Sequence, residues 1–224
     1  MSLSSRNLAG IFMTLEGGEG SGKTTQALRL CQSLTAQGYD VLHTREPGGT
    51  LVAEQLSSIL LDRSDEAIAP ETEALLILSA RRQHVDHVIR PALTRGKLVV
   101  CDRFSDSTMA YQGYARGLDL KQLRAMNKWA TGGLTPHLTL LFDVPIGVGL
   151  RRRRGQAGGQ NRLDLETRRF HSNVRAEFHA LAKREPRRIK IIDAQPSLDS
   201  VATTVETLVL SWLRTAQSPK RRRR

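Results

Sequence analysis

The chain of 224 residues is 39% hydrophobic, enough to bury one core of ordinary size, and no run approaches the roughly 18 apolar residues of a membrane-spanning helix. Its net charge is +12, of which the terminal Lys220–Arg224 run supplies five; the remaining +7 suits a protein that holds several phosphates at once, so nucleic acid is not required as a partner. Cys31 and Cys101 read as reduced core thiols of a cytoplasmic protein, and the opening Met1–Asn7 lacks a signal-peptide apolar region, so a soluble, unprocessed chain is expected.

The first apolar run, residues 11–16, reads as a strand, and Gly17-Gly18-Glu19-Gly20-Ser21-Gly22-Lys23-Thr24 follows it directly, matching G-x-x-x-x-G-K-[ST]. A helix is predicted over Gly22–Gln37, with Gly38 as its stop and Thr25 and Gln26 continuing its start. In this strand, loop and helix order, Gly17, Gly18, Gly20 and Gly22 let backbone N–H groups turn toward phosphate oxygens, and Glu19, Ser21 and Thr25 belong to the same nucleotide-binding loop. Lys23 neutralises charge on the transferred group, and the Thr24 hydroxyl can ligate the Mg2+ of a nucleotide.

Asp40–Arg45 is the second strand and runs into Glu46-Pro47-Gly48-Gly49, at the carboxyl end where parallel strands open onto a ligand crevice. Arg45 can grip a second phosphate there, or be a surface charge before a tight turn. A helix follows over Thr50–Leu61. Glu71–Arg90 is the longest apolar-periodic segment, and Pro91 is expected to kink it rather than end it. The third strand, Lys97–Cys101, leads into Asp102-Arg103-Phe104. Asp102 can orient Mg2+ or its water shell, and the planar fork of Arg103 can bridge donor and acceptor phosphates; an internal ion pair between the two is the structural alternative.

Leu118–Thr131 is predicted as a helix, Leu138–Asp143 as a strand, and Ile146–Arg154 as a helix that ends in four arginines, before the glycine-rich Gly155–Gln160 and Asn161-Arg162. Four consecutive arginines cannot share one helical face, so one or two enter the site and the others stay solvated. Arg154 and Arg162, with Arg153 close behind, are the candidates for stabilising charge on transferred phosphoryl oxygens, delivered by a mobile lid at about 151–163 that also excludes water. A helix over Asp164–Glu185, a strand over Arg188–Asp193 and a helix over Leu198–Thr215 complete the pattern. It predicts a five-stranded parallel sheet with helices on both faces, the α/β architecture of a P-loop NTPase. One domain covers residues 10–216, between a flexible 1–9 and a disordered basic tail at 217–224.

Thr44-Arg45-Glu46-Pro47-Gly48-Gly49-Thr50, Ser79-Ala80-Arg81, Asp102-Arg103-Phe104 and Ser107-Thr108-Met109-Ala110-Tyr111-Gln112-Gly113 follow the acid-containing phosphate loop in order. From about Ile11 to Leu213 the chain resembles the bacterial thymidylate kinases, of the nucleoside monophosphate kinase type. The resemblance implies transfer of the γ-phosphoryl group of ATP to dTMP, giving dTDP and ADP, with Mg2+ near Thr24 and Asp102, in a homodimer. It implies that Glu19 accepts a hydrogen bond from the sugar 3′-hydroxyl or its water shell, and that Arg45 and Arg103 hold the monophosphate. Arg81 would donate to a thymine carbonyl, with Pro47, Ile77, Ser107, Thr108 and Gln112 completing the acceptor site. Tyr111 would pack where a ribonucleotide carries its 2′-hydroxyl, favouring deoxyribose. The structural alternatives are a helix-surface charge for Arg81 and a half-buried helix aromatic for Tyr111.

Two features qualify the resemblance. The loop reads Gly-Glu-Gly-Ser at its variable positions, without arginine, so the lid must supply that charge. The family often has an aromatic four residues before the Arg81 position, where this chain has Ile77, which predicts altered affinity more than lost activity. The transfer is expected to run in line without a covalent enzyme intermediate, and needs no strong general base because a phosphate monoester is already largely ionised. The nearest alternative is another nucleoside monophosphate kinase. A GTPase is disfavoured: the chain has no Asn-Lys-x-Asp or Thr-Lys-x-Asp, and no Asp-x-x-Gly after the third strand.

Overall fold

The computed structural model describes residues 9–62, 66–155 and 160–217. Strands β1 (Ile11–Gly17), β2 (Val41–Arg45), β3 (Leu98–Asp102), β4 (Leu138–Asp143) and β5 (Ile189–Asp193) form one parallel sheet in the order β2-β3-β1-β4-β5. All five carboxyl ends therefore lie along one rim, and β1 sits centrally between β3 and β4, so its terminal loop lies mid-rim. The helices are α1 (Lys23–Ala36), α2 (Leu51–Leu61), α3 (Pro70–His84), α4 (Arg90–Thr94), α5 (Ser105–Thr108), α6 (Leu120–Thr131), α7 (Ile146–Arg154), α8 (Arg168–Arg184) and α9 (Leu198–Gln217).

Alternation along β1 divides the core. Met13 and Leu15 face α1 and α9, where Ala27, Leu30 and Leu34 meet the four-residue stripe Val201, Val205, Val209 and Leu213. Phe12 points the other way, against Val85, Ile89, Ala92 and Leu93, and the stripe Phe170, Val174, Phe178 and Leu181 of α8 covers the same layer further along the sheet. The next two residues on the Phe12 face, Thr14 and Glu16, are polar yet wholly buried. Thr14 finds a partner in Thr139 at 2.7 Å, and Glu16 lies under the site described below.

Pro91 neither ends nor simply kinks its helix. Lacking an N–H, proline cannot extend an α-helical ladder, and the chain widens ahead of it into a π-helical stretch, Val85–Ile89, in which Arg90 N donates to Val85 O; α4 then continues to Thr94. Two predicted starts move inward because a better cap stands there. Thr167 accepts from Phe170 N and begins α8, leaving Asp164 in a short 3-10 turn, and Asp119 accepts from Gln122 N to begin α6. The predicted segments also omit α5 and the π-helical Met109–Ala115 that follows it. The predicted flexible N-terminus falls almost entirely, the basic tail beyond Gln217 wholly, and the centre of the predicted lid at 156–159, outside the described residues.

Candidate active site

A cleft of about 610 Å³ opens at the carboxyl ends of β1, β2 and β3. Its floor is the loop after β1. Gly20 and Gly22 have φ of 65° and 87°, in the left-handed region that side chains resist. At Gly20 space is also exhausted: a Cβ would stand 2.0 Å from the carbonyl oxygen of Gly149 in α7. Lys23 curls over this loop, its Nζ 2.8 Å from Gly18 O and 3.1 Å from Ser21 Oγ. Burial, helped by the charge of Arg103, pushes its ammonium down to about 8 against the opposing pull of Glu19 and Asp102. Gly20, Ser21, Gly22, Thr24 and Thr25 line the cleft with it, whereas Gly17 and Gly18 line a smaller hollow behind the loop.

Thr24 Oγ1 donates to Asp102 Oδ2 at 2.5 Å, joining the first turn of α1 to the end of β3. The other carboxylate oxygen, Oδ1, is buried without a hydrogen-bond partner. An anionic oxygen left open beside a hydroxyl fits a hard divalent cation or its water. Among the described residues no group of three or more His, Cys, Asp and Glu side chains could hold a metal, so nucleotide oxygens and water would complete such a shell.

Arg103 is the single described non-glycine residue with positive φ, at 70°. Its N–H donates to Leu15 O, which pins the turn to β1. Its guanidinium then reaches Gly17 O and Ser107 Oγ, each at 3.1 Å, and Glu19 Oε1 at 2.8 Å, lying over the Tyr111 ring. Tyr111 OH donates to the same Glu19 oxygen at 2.7 Å. Burial alone would raise the Glu19 carboxyl, but Arg103, Lys23 and this hydroxyl hold it down at about 2. The alternative of an Asp102–Arg103 ion pair is therefore not realised: Asp102 is partnered by Thr24 and Arg103 by Glu19.

Glu16 supports this turn from beneath. Its carboxylate accepts from Phe104 N at 2.8 Å and Ser107 Oγ at 2.5 Å, and burial together with nearby Asp106 pushes it up to about 8.

On the far wall, Arg81 is 2% exposed, which rules out a helix-surface charge. Nε donates to Glu46 Oε2, and Nη1 to Thr108 Oγ1 and Asn127 Oδ1, each at 2.7 Å, with Phe104 packed against the guanidinium. His84 Nδ1 lies 3.1 Å from the second Glu46 oxygen and its Nε2 2.7 Å from Thr44 Oγ1. Pro47, Ile77, Ser107, Thr108, Tyr111 and Gln112 line the same wall. Tyr111 is buried, edge-on to Phe170 and Phe178, rather than half-buried. Arg45 borders the cleft but is engaged with Glu54 Oε2 at 2.7 Å and Pro47 O at 2.9 Å.

The three lid arginines separate. Arg153 lines the cleft, held by Asp164 Oδ2 at 2.9 Å from Nη2. Arg154, one helical step of about 100° further round, is exposed and not among the lining residues. Arg162 turns away from the cleft: Nη2 lies 2.6 Å from Glu73 Oε2 and Nε 3.0 Å from Leu60 O. The preference for Arg154 and Arg162 over Arg153 is thus reversed in position. Arg152 anchors α7 to the loop after β5, donating to Ala194 O at 2.8 Å and Gln195 O at 3.0 Å.

The family model described as "Thymidylate kinase" matches residues 15–205. Thymidylate kinases of Thermomicrobium roseum and Syntrophotalea carbinolica are 50% and 47% identical to the chain, covering 95% and 92% of it and 98% and 95% of their own lengths. The chain belongs to the thymidylate kinase family. A crystal structure of the thymidylate kinase from Ehrlichia chaffeensis, 32% identical, superposes with a TM-score of 0.73 and covers 90% of this chain and 98% of that one. The P-loop α/β fold is thus the family's fold. The family's reaction is the ATP-dependent phosphorylation of dTMP to dTDP.

Within this thymidylate kinase framework, sequence reading missed four acids that hold the site together: Glu16, Glu46, Glu73 and Asp164. Two carried a signal. Glu16 interrupts the apolar β1 run just before the loop, and Glu73 precedes Ala74-Leu75-Leu76 in an apolar helix, both places where an acid is retained only with partners.

Proposed function

We propose that the cleft binds ATP along the phosphate loop and dTMP against the Arg81 wall, and that a dTMP phosphate oxygen attacks the γ-phosphorus in line. The observation that carries this reading is the span of Arg103, whose one planar cation touches the loop at Gly17 O and Glu19 and the acceptor wall at Ser107 and Tyr111. Such a group favours phosphoryl oxygens shared between the two nucleotides as their charge redistributes. Lys23 and Arg153 add charge from the loop and from α7, Arg45 serves the acceptor phosphate, and the buried Tyr111 closes the space beside the sugar.

Arginine can only donate, so Arg81 meets a carbonyl, as thymine presents, and offers nothing to an amino group in its place. Ile77 covers the base with aliphatic surface. Thr24 and Asp102 would hold Mg2+, which when bound compensates the charge of the donor phosphates.

A homodimer is also proposed. Leu75 on α3 and Met126 and Trp129 on α6 are exposed, Trp129 by 75%, and Arg82 of α3 donates to Trp129 O, so these two helices present one apolar face. No helix of the described residues is long and apolar enough to cross a membrane, and Cys31 and Cys101 are free thiols, as suits the proposed cytoplasmic setting.

The test is ADP release from ATP and Mg2+ with dTMP, dUMP, UMP, CMP, AMP and GMP as acceptors. Strong preference for dTMP is expected; equal turnover of another acceptor would overturn the base-site assignment. Sedimentation of wild type and W129E checks the dimer face.

A further inference from the structure

Glu73 of α3 is wholly buried and does not itself line the cleft. Its Oε1 accepts from Gln112 Nε2 at 2.7 Å, and its Oε2 from Arg116 Nη2 at 2.9 Å and Arg162 Nη2 at 2.6 Å. One carboxylate of α3 therefore joins two other segments, the π-helical stretch that carries Gln112 and is capped by Arg116, and the stretch that carries Arg162. Gln112 is an acceptor-wall residue. Arg116 lies over the Phe170 ring and also pairs with Glu166 at 2.6 Å. Arg162 belongs to the segment leading from the predicted lid into α8, and its main-chain N–H is bonded to Leu61 O.

That segment in turn seats the cleft arginine. Asp164, two residues on, takes Asn161 N at 2.8 Å and Arg153 Nε at 3.0 Å on the same carboxylate oxygen. Polar contacts thus lead from Gln112 through Glu73 to Arg162, the main chain carries the link on to Asp164, and a second set of polar contacts leads from Asp164 to Arg153.

We infer that Glu73 is a positioning residue through which the acceptor wall sets the seating of residues 160–165 and, with them, of Arg153. The charge balance explains why an acid is needed. Two guanidinium groups converge on one shielded point, and without the carboxylate they would repel each other and release Arg162. Burial works against the ionised form of Glu73, but Arg116, Gln112 and Arg162 together hold it below the ordinary carboxylate range. An acceptor base that engages Gln112 fixes the side chain that Glu73 grips from behind, so acceptor occupancy stabilises the Arg162 tie.

The inference rests on the acceptor site proposed above. The experiment compares wild type, E73Q, R162M and the double variant by two readouts: steady-state kinetics, and amide hydrogen exchange of residues 160–165 with and without dTMP. E73Q is expected to lower kcat about 10-fold while moving the KM for ATP less than about two-fold, the double variant being no worse than either single one. In wild type, dTMP slows exchange at 160–165; in E73Q and R162M it does not. Equal protection by dTMP in E73Q and wild type, or losses that multiply in the double variant, would overturn the tie. R162M leaves Glu73 paired with Arg116 and Gln112, so it serves if E73Q does not fold. Should wild type neither bind nor turn over dTMP, the acceptor assignment fails instead. The tie is then judged without ligand: faster exchange at 160–165 in R162M supports it, and unchanged exchange sinks it.

Discussion

Arg103 Nη2 stands 2.8 Å from Glu19 Oε1, so the end of β3 is tied to the interior of the phosphate loop by an ion pair that is mostly shielded from solvent. This pair accounts for an acid in a loop built for anions: Glu19 orients the arginine whose backbone is already held at a positive φ. Charge-assisted hydrogen bonds of this kind contribute roughly 1.5–3 kcal/mol. E19Q is therefore expected to lower kcat/KM for dTMP by roughly 10- to 100-fold while the fold persists, checked by initial rates and circular dichroism.

Lys23 supplies a pH signature. With its ammonium pushed down to about 8, the free protein loses this charge as pH rises through that value. The expected result is a kcat/KM for ATP that falls above about pH 8, while kcat holds to higher pH because bound phosphates favour the charged form. K23M should lack this limb and be slower by about 100-fold or more, as expected for removal of a group that stabilises transferred charge. A pH profile of both constants checks this.

Glu16 and Glu19 should affect stability in opposite directions. Glu16 rises in the folded state from 4.5 to about 8, so between those values the native state holds a proton that the unfolded chain has released. Its contribution is full below pH 4.5 and is lost as pH climbs through about 8. Glu19 falls to about 2, so its contribution is present above 4.5 and is lost as pH drops toward 2. Urea midpoints from pH 5 to 9 should fall for wild type and flatten for E16Q; identical slopes would contradict the assignment.

Arg81 separates charge from geometry. R81K keeps the cation but loses the fork that bonds Glu46, Thr108 and Asn127 together, and is expected to raise the KM for dTMP roughly 10-fold with little change for ATP. R81M leaves Glu46 buried with only His84, and such an uncompensated charge costs about 3–5 kcal/mol, visible as a lowered Tm. A Tm loss in R81K as large as in R81M would show that the residue serves packing alone.

The strands were legible because parallel strands buried on both faces are nearly continuous apolar runs, and each lies within one residue of its expected bounds. Lys23, Thr24, Asp102 and Arg103 could be read because motif and strand end together dictate where they emerge. Arg153 and Arg154 could not be ranked, since composition is identical and only the phase of α7, set by its start at Ile146, decides which one meets the cleft. Arg162 was unreadable for a different reason: its partner Glu73 lies 89 residues away, and nothing local marks an acid on an apolar helix as the destination of that arginine. Likewise, Thr167 offered a better cap than the Asp164 that pattern alone favoured.

The contact between Gly20 and Gly149 divides the placement of Arg153 into a part set by main chain and a part set by side chains. A Cβ on Gly149 would stand 2.4 Å from Glu19 O, and one on Gly20 2.0 Å from Gly149 O, so main chain rests on main chain with no side chain to adjust. The second turn of α7 is thus keyed to the nucleotide loop as a fixed bearing, while the sequence beyond Gly155 carries no such constraint from this contact. The root of Arg153 is thereby presented at a distance from the loop that main chain alone sets, and the segment that follows acts only on the far end of the side chain, where Asp164 holds the guanidinium.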